Sequence, residues 1–571
     1  MKYTSRINHF FQRLIYLVGS YPGLAAGIIT LLYLAIFQLS FLTTGDAWAE
    51  SFAEYLDESI RRGWKEVFAQ NWAGYFTLIP SLLSKAYVSL GLPLGYIDYF
   101  HRMVSIAFVT ITTVLIAAKF NAQIIRNDFH RIAFAVLIVV SLTNLTSFSF
   151  INVWYLGFVP IIMWCLHTEK IDRGMDASIG MFGFLVSLTK PFPLIVPLVL
   201  VRLMRTKQML GALIVFVAAV FQSVQILFND DRGIASGATF KLTTFLGSVF
   251  TGSGIEFLKL IHIAPAGYWM VIGVNILFLC LFIAIWKKRG VIFASSLAVL
   301  YTYCLYTYLM APDAPVYFSL ERYQDIYYYN LKSQREILIY AIQLLIIFIG
   351  TPTLLRMASR KIPVIHKLFL YLRSKALIVV LSFMSFVCLF LFVYRPIDVT
   401  SPGISNSAIS AFREQLSSGE EACVPLAPTP VFFSEANWFF EYKTRCITQN
   451  YDTNIFKPDY KDMHISLPSS PGSKTTAPKN AGSIMTLLLP VKSSDGGKNI
   501  TITEKISNMS FSSRVPSSID DSGIVFVAFD VSSIADQQRQ FDFKFYGSER
   551  TYIGSFENGS LMYYLYYKLG S

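Results

Sequence analysis

The sequence predicts an α-helical polytopic membrane protein of about eleven spans, followed by a β-rich extracytoplasmic domain, and three observations predict it. Of 571 residues, 54% are hydrophobic and 15% charged, which is more apolar and less charged than a soluble globular chain. The apolar residues gather in runs long enough for a bilayer, and the basic residues sit in short loops between them. After Arg395-Pro396 the composition turns polar, and alternating segments bounded by turn formers replace the runs. The net charge of +12 is therefore the loop excess of the positive-inside rule, and nucleic-acid binding is excluded.

Residues 1–13 carry Lys2, Arg6 and Arg13 ahead of an apolar segment ending near Leu42. That segment is too long for a signal-peptide core, so it reads as a retained first span with the N-terminus inside. The first outer loop, residues 43–100, opens on Thr44-Gly45-Asp46-Ala47-Trp48-Ala49-Glu50. Over 48–68, Trp48, Phe52, Tyr55, Leu56, Ile60 and Trp64 recur at mostly three- and four-residue spacing with charges between them. The spacing predicts one amphipathic helix lying on the membrane. Residues 74–90, with Pro80 and Lys85, read as a second surface helix.

Further spans are expected at 102–118, 132–148, 150–166, 177–189, 193–204, 209–227, 267–286, 291–310, 336–350 and 376–394. The two flanking Lys190 are shorter than a straight crossing needs and read as broken helices or a re-entrant pair. This assignment puts Arg126 with Arg131, Lys170 with Arg173, Arg202 with Arg205 and Lys207, Lys287-Lys288-Arg289 and the basic cluster of 356–375 on the N-terminal side. An odd number of spans leaves the C-terminus outside. The chain divides into a transmembrane domain, 1–395, and an extracytoplasmic domain, 396–571, whose strands are expected at 500–506, 523–529 and 541–545.

Candidate chemistry lies at the outer face. A carboxylate just beyond a span, such as Asp46, suits a general base that must meet a lipid-borne substrate, and equally suits the N-cap of the helix that follows. Glu50 and Glu54 stand on that helix as further carboxylates or as partners of Arg61 and Arg62. Lys190, a lone cation between apolar runs, calls for a phosphate or for the role of a snorkelling anchor. Arg322, followed by Tyr323 in a tyrosine-rich outer loop, offers a donor fork suited to phosphate or pairs with an acidic neighbour. Lys85 and Arg102 read as phosphate ligands or interfacial anchors, and His101 as structural. Asn152 and Trp154, in the polar turn of an outer hairpin, are candidate sugar contacts.

Four cysteines lie in or beside apolar runs as small buried hydrophobes. Cys423 and Cys446 lie together in the polar region, and an oxidising compartment favours a disulfide between them. No zinc, P-loop or dinucleotide motif is present, and Asp230-Asp231 has no third ligand, so neither metal nor cofactor is expected.

A cytoplasmic N-terminus, one span, an acidic residue heading a long first outer loop, about ten further spans, the Lys190-Pro191 loop, the Arg322-Tyr323 loop and an extracytoplasmic C-terminal domain together resemble the GT-C glycosyltransferases. Within them the chain is similar to the Gtr-type serotype-converting O-antigen glucosyltransferases of Gram-negative bacteria and their phages. The resemblance implies transfer of a sugar, glucose by that analogy, from undecaprenyl phosphate to O-antigen, lipopolysaccharide or a related glycan on the outer face of the inner membrane. It implies Asp46 as an inverting base, with Lys190, Arg322 and Lys85 on the donor phosphate and no metal. An O-antigen polymerase or ligase, and a non-enzymatic transporter or assembly protein, are the alternatives.

Overall fold

The apolar runs fold into helices. The computed structural model describes residues 20–38, 51–68, 71–72, 75–142, 148–228, 242–261, 263, 267–309, 333–359, 408–425, 439–453, 463–466, 481–492, 499–504, 509–514, 524–530, 540–546 and 561–569. The fold is mostly helical. Three helices, Leu94–Ala117, Tyr268–Arg289 and Ile337–Met357, are long and apolar enough to cross a membrane. Shorter apolar helices occupy Pro22–Phe37, Val153–Cys165, Leu210–Gln225 and Val291–Leu305. The expected span at 376–394 lies outside the described residues.

In chain order the helical part comprises α1 (Pro22–Phe37), a π-helical turn (Ser51–Leu56), α2 (Asp57–Arg61), α3 (Trp64–Phe68), a hairpin of β1 (Asn71–Trp72) and β2 (Tyr75–Phe76), α4 (Leu78–Ser89) and α5 (Ile97–Ala117). It continues through α6 (Asp128–Ser141), α7 (Phe158–Cys165), α8 (Arg173–Ser187), α9 (Ile195–Thr206), α10 (Leu210–Phe228), α11 (Leu242–Leu260), α12 (Tyr268–Arg289), α13 (Val291–Leu309) and α14 (Ser333–Ser359). Every residue of α7 is buried, so this helix and α6 form the centre. The outer helices expose apolar stripes at helical spacing, such as Leu213, Val217 and Phe221 on α10 and Ile276, Leu279, Ile283 and Trp286 on α12. Such stripes are what a bilayer covers.

Two ends are distinct. At one, the loops after α5, α7, α9 and α12 join: Gln123 Nε2 donates to Glu169 O (3.3 Å), Gln208 Nε2 to Ile171 O (2.7 Å) and Arg289 Nη2 to Ile124 O (2.9 Å). The basic loops around Arg126, Lys170, Lys207 and Lys288 thus share one end. At the other end lie α2 to α4, the turn after α8 and part of the C-terminal region.

The expected single surface helix over 48–68 is broken. Residues 51–61 form a π-helical turn running into α2, the chain is extended at Arg62, and α3 starts afresh at Trp64. Two contacts accompany the break: the Lys85 ammonium, from α4, takes Ser59 O (2.8 Å) and Arg62 O (2.5 Å), and Glu66 accepts the Gly63 N–H (2.8 Å). Those carbonyls then end one helix and that carboxylate caps the next. Phe52, Tyr55 and Leu56 are buried in protein, while Trp64 and Phe68 stay exposed. The sequence reading also gave no element for α11, a helix of 19 residues.

The C-terminal region starts with α15 (Ala408–Ser418), absent from the expected β-rich pattern, and β3 (Ala422–Pro425) pairs antiparallel with β4 (Phe439–Tyr442). The remaining strands are β5 (Cys446–Thr453), β6 (Met463–Ser466), β7 (Ala481–Lys492), β8 (Asn499–Glu504), β9 (Ser510–Arg514), β10 (Ile524–Asp530), β11 (Gln540–Tyr546) and β12 (Leu561–Leu569). They form two antiparallel sheets, ordered β10-β7-β12-β5 and β6-β11-β8-β9. Cys423 and Cys446 are joined by a disulfide, with Cα atoms 6.3 Å apart.

Candidate functional site at the loop-bearing end

The turn after α8 holds Lys190, which is 2% exposed. Its ammonium lies 3.2 Å from the Tyr75 hydroxyl and over the rings of Tyr75 (5.4 Å) and Tyr155 (5.5 Å). Aromatic faces stabilise a cation that has left water. The first loop is fastened to this turn. Leu78 N–H donates to Leu188 O (3.1 Å), Ile79 N–H to Thr189 Oγ1 (3.3 Å), and the Gln222 side chain pairs with both backbone groups of Phe76 (3.0 and 2.9 Å). The sequence singles out Lys190 but not Tyr75 or Tyr155, because their proximity is made only by tertiary contact.

Arg102 is fully buried on α5, with Nη1 3.4 Å from Phe148 O. A completely covered guanidinium is no snorkelling anchor. Beside it, His101 stacks on Phe150 (ring centroids 4.0 Å, planes 10° apart) and meets Ser84 Oγ at 3.3 Å. The segment 148–157 therefore carries contacts to both Arg102 and Lys190. Trp154 within it is buried against Phe108 (4.5 Å), and Asn152 is buried too. Lys85 spends its donors on the two carbonyls at the helix break. On α2, burial pushes the Asp57 carboxyl above its usual range, while Arg61, paired at 2.8 Å, opposes that shift. Asp46, Glu50, Arg322 and Tyr323 lie outside the described residues.

A second polar cluster was not foreseen. On α11, Glu256 and Lys259 pair at 3.1 Å and are both buried. Nearby, Gln343 Nε2 donates to the Tyr301 hydroxyl (2.8 Å) and Ser253 O (3.2 Å), and Ser253 Oγ lies 2.7 Å from that hydroxyl. Among the described residues no group of three or more His, Cys, Asp or Glu side chains is placed to hold a metal. Compared with known protein families, characterised proteins and solved structures, the chain matches none.

Proposed function

We propose that the chain is an integral membrane glycosyltransferase of GT-C type that moves a sugar, glucose in the reading preferred here, from undecaprenyl phosphate to O-antigen, lipopolysaccharide or a related surface glycan. In this reading eleven helices cross the bacterial inner membrane, the N-terminus is cytoplasmic, and residues 396–571 are periplasmic. The observation that carries it is the Lys190 ammonium, buried between two tyrosines and joined to the loop that Asp46 heads. An ammonium and tyrosine hydroxyls beside an outer loop are the donor types that recognise a lipid phosphate.

The reaction needs one base and one compensated leaving group. Asp46 takes the proton of an acceptor hydroxyl, and that oxygen attacks the anomeric carbon from the side opposite the phosphate. The bond from that carbon to the phosphate oxygen breaks, and undecaprenyl phosphate leaves with the electron pair. Lys190 and Arg322, flanked by Tyr323, balance the charge that grows on it. Glu50 supports Asp46, Arg102 holds the 148–157 segment, and Lys85 shapes the loop through its carbonyl contacts.

The test is transfer of labelled glucose from synthetic undecaprenyl phosphate glucose to lipopolysaccharide by purified protein. Asp46→Asn should lower kcat at least 100-fold at unchanged thermal stability, and Lys190→Gln should raise KM for the donor about tenfold. No transfer by the wild type with several lipid-linked sugars would sink the reading. One observation favours the non-enzymatic alternative: a buried Glu–Lys pair such as Glu256–Lys259 is a mark of transport pathways. A Glu256→Gln variant with full transfer activity would remove that support.

A further inference from the structure

Residues 408–425 and 439–446 touch the first loop at both of its ends. At the far end, the Arg413 guanidinium on α15 lies 2.8 Å from the Asp98 carboxylate, which is fully buried, and over the rings of Tyr99 (4.2 Å) and Tyr96 (5.4 Å). Gly95 packs so closely beneath α15 that a Cβ there would stand 2.5 Å from Arg413 O and 2.6 Å from Ser417 Oγ. At the near end, Phe440 on β4 meets Phe52 edge-on (5.8 Å), and Glu441 lies 3.7 Å from Arg61. Phe52 in turn sets its edge against His101 (5.8 Å), which stacks on Phe150. Contact thus runs from the C-terminal region through the first loop to the segment beside Lys190.

The reaching part is itself anchored. The Cys423–Cys446 disulfide ties the β3–β4 hairpin to β5, a strand of the larger sheet. Thr486 Oγ1 of β7 donates to Cys423 O (2.6 Å), and Glu441 accepts the Cys446 N–H (2.9 Å). A hairpin fixed to a sheet on one side and seated on a loop on the other resists displacement. In the stretch that the β4 end touches, α2 and α3 are five residues each. Helices that short are unstable without outside support.

We propose that residues 408–425 and 439–446 are a clamp that sets the position of the first outer loop, with Arg413 as its positioning residue and the disulfide as its brace. The structural part stands by itself, and the kinetic consequence rests on the transferase reading. Under that reading, the clamp holds the segment that follows Asp46 in register with the Lys190 turn.

The experiment is limited trypsin digestion of the full-length protein in detergent, following cleavage at Arg61, Arg62 and Lys65, alongside sugar transfer. Arg413→Gln and Gly95→Ala should speed cleavage in this stretch at least tenfold, with Arg413→Lys close to wild type because it keeps a cation on Asp98. Phe440→Ala, which leaves no buried charge unpaired, should speed it about threefold and keeps the test valid if the other variants fail to fold. Cleavage rates unchanged in Phe440→Ala and in whichever of Arg413→Gln and Gly95→Ala fold would overturn the clamp. In transfer, the same variants should lower kcat at least fivefold while KM for the donor stays within twofold. A released loop with unchanged kcat would overturn positioning and leave the transferase standing. If the wild type transfers nothing, that reading falls and the digestion alone decides the clamp.

Discussion

His167 shows how much a single residue depends on what surrounds it. It follows the apolar segment of α7, and its Nε2 lies 3.0 Å from Asn121 Oδ1. Asn121 donates its amide hydrogens to Leu115 O and Ile116 O, both at 3.0 Å, so its oxygen must accept and His167 carries its proton on Nε2. The other ring nitrogen is buried and has no hydrogen-bond partner among the described residues. Burial first, and the Arg202 charge second, push the imidazole down from 6.5 to about 3. The unfolded chain therefore binds a proton that the folded one refuses. This contribution to stability is complete above about pH 6.5 and is lost as pH falls from there towards 3. Between pH 7.5 and 5 the loss is about 2 kcal/mol at 1.36 kcal/mol per unit. Denaturation in SDS should show a stability fall over that range that is smaller in His167→Gln by this amount, and equal slopes would refute the assignment. Nothing around His167 in the sequence announces this, because Asn121 is 46 residues away.

Helix pairs are governed by what their contact faces can tolerate. Gly211 at the start of α10 packs on α8 so closely that a Cβ there would collide with Asp176 O, and one on Gly180 would stand 2.6 Å from Gly211 Cα. Small residues at a crossing let backbones touch. The same crossing holds Asp176, 2% exposed, which accepts from Arg202 Nη2 (2.7 Å), Trp164 Nε1 (3.1 Å) and Gly211 N–H (3.0 Å). Arg202 also lies over the Trp164 ring at 4.2 Å. Removing one partner leaves a buried charge uncompensated, so Asp176→Ala should cost about 3–5 kcal/mol in SDS unfolding. Replacing both, as Asp176→Leu with Arg202→Met, should cost less, and the reverse order would show that the ion pair does not govern this contact. Element-level legibility follows the same physics. Apolar runs and alternation register what a segment buries, so α12, α13, β8, β10 and β11 stand close to their expected ranges. The helix α11 was not read from the sequence, where Glu256 and Lys259 interrupt the apolar run, and its burial is created by α12, α13 and α14. The single helix expected over 48–68 fails for a matching reason, since Lys85, which ends it, belongs to another element.

At the scale of the molecule, the positive-inside rule and the contacts make one joint prediction. Loops after α5, α7, α9 and α12 meet at one end and carry the basic residues, whereas Gly63, in the exposed break between α2 and α3, belongs to the other. A bilayer separating these ends puts the basic one in the cytoplasm. The sequence could order the loops by charge, but it could not show that the first loop touches both the Lys190 turn and residues such as Arg413 and Phe440, because no local pattern encodes a contact hundreds of residues apart. The measurement is labelling of single introduced cysteines with a membrane-impermeant maleimide in intact spheroplasts, after replacing the free cysteines and keeping the Cys423–Cys446 pair. Gly63→Cys should react before lysis, and Glu169→Cys only after it. Reaction of Glu169→Cys in intact cells would invert the topology and move the Lys190 site to the cytoplasmic face, where a transferase would have to draw on a different acceptor. Reaction of both before lysis would mean that no bilayer separates the two ends, and the membrane reading of α5, α12 and α14 would fall with it.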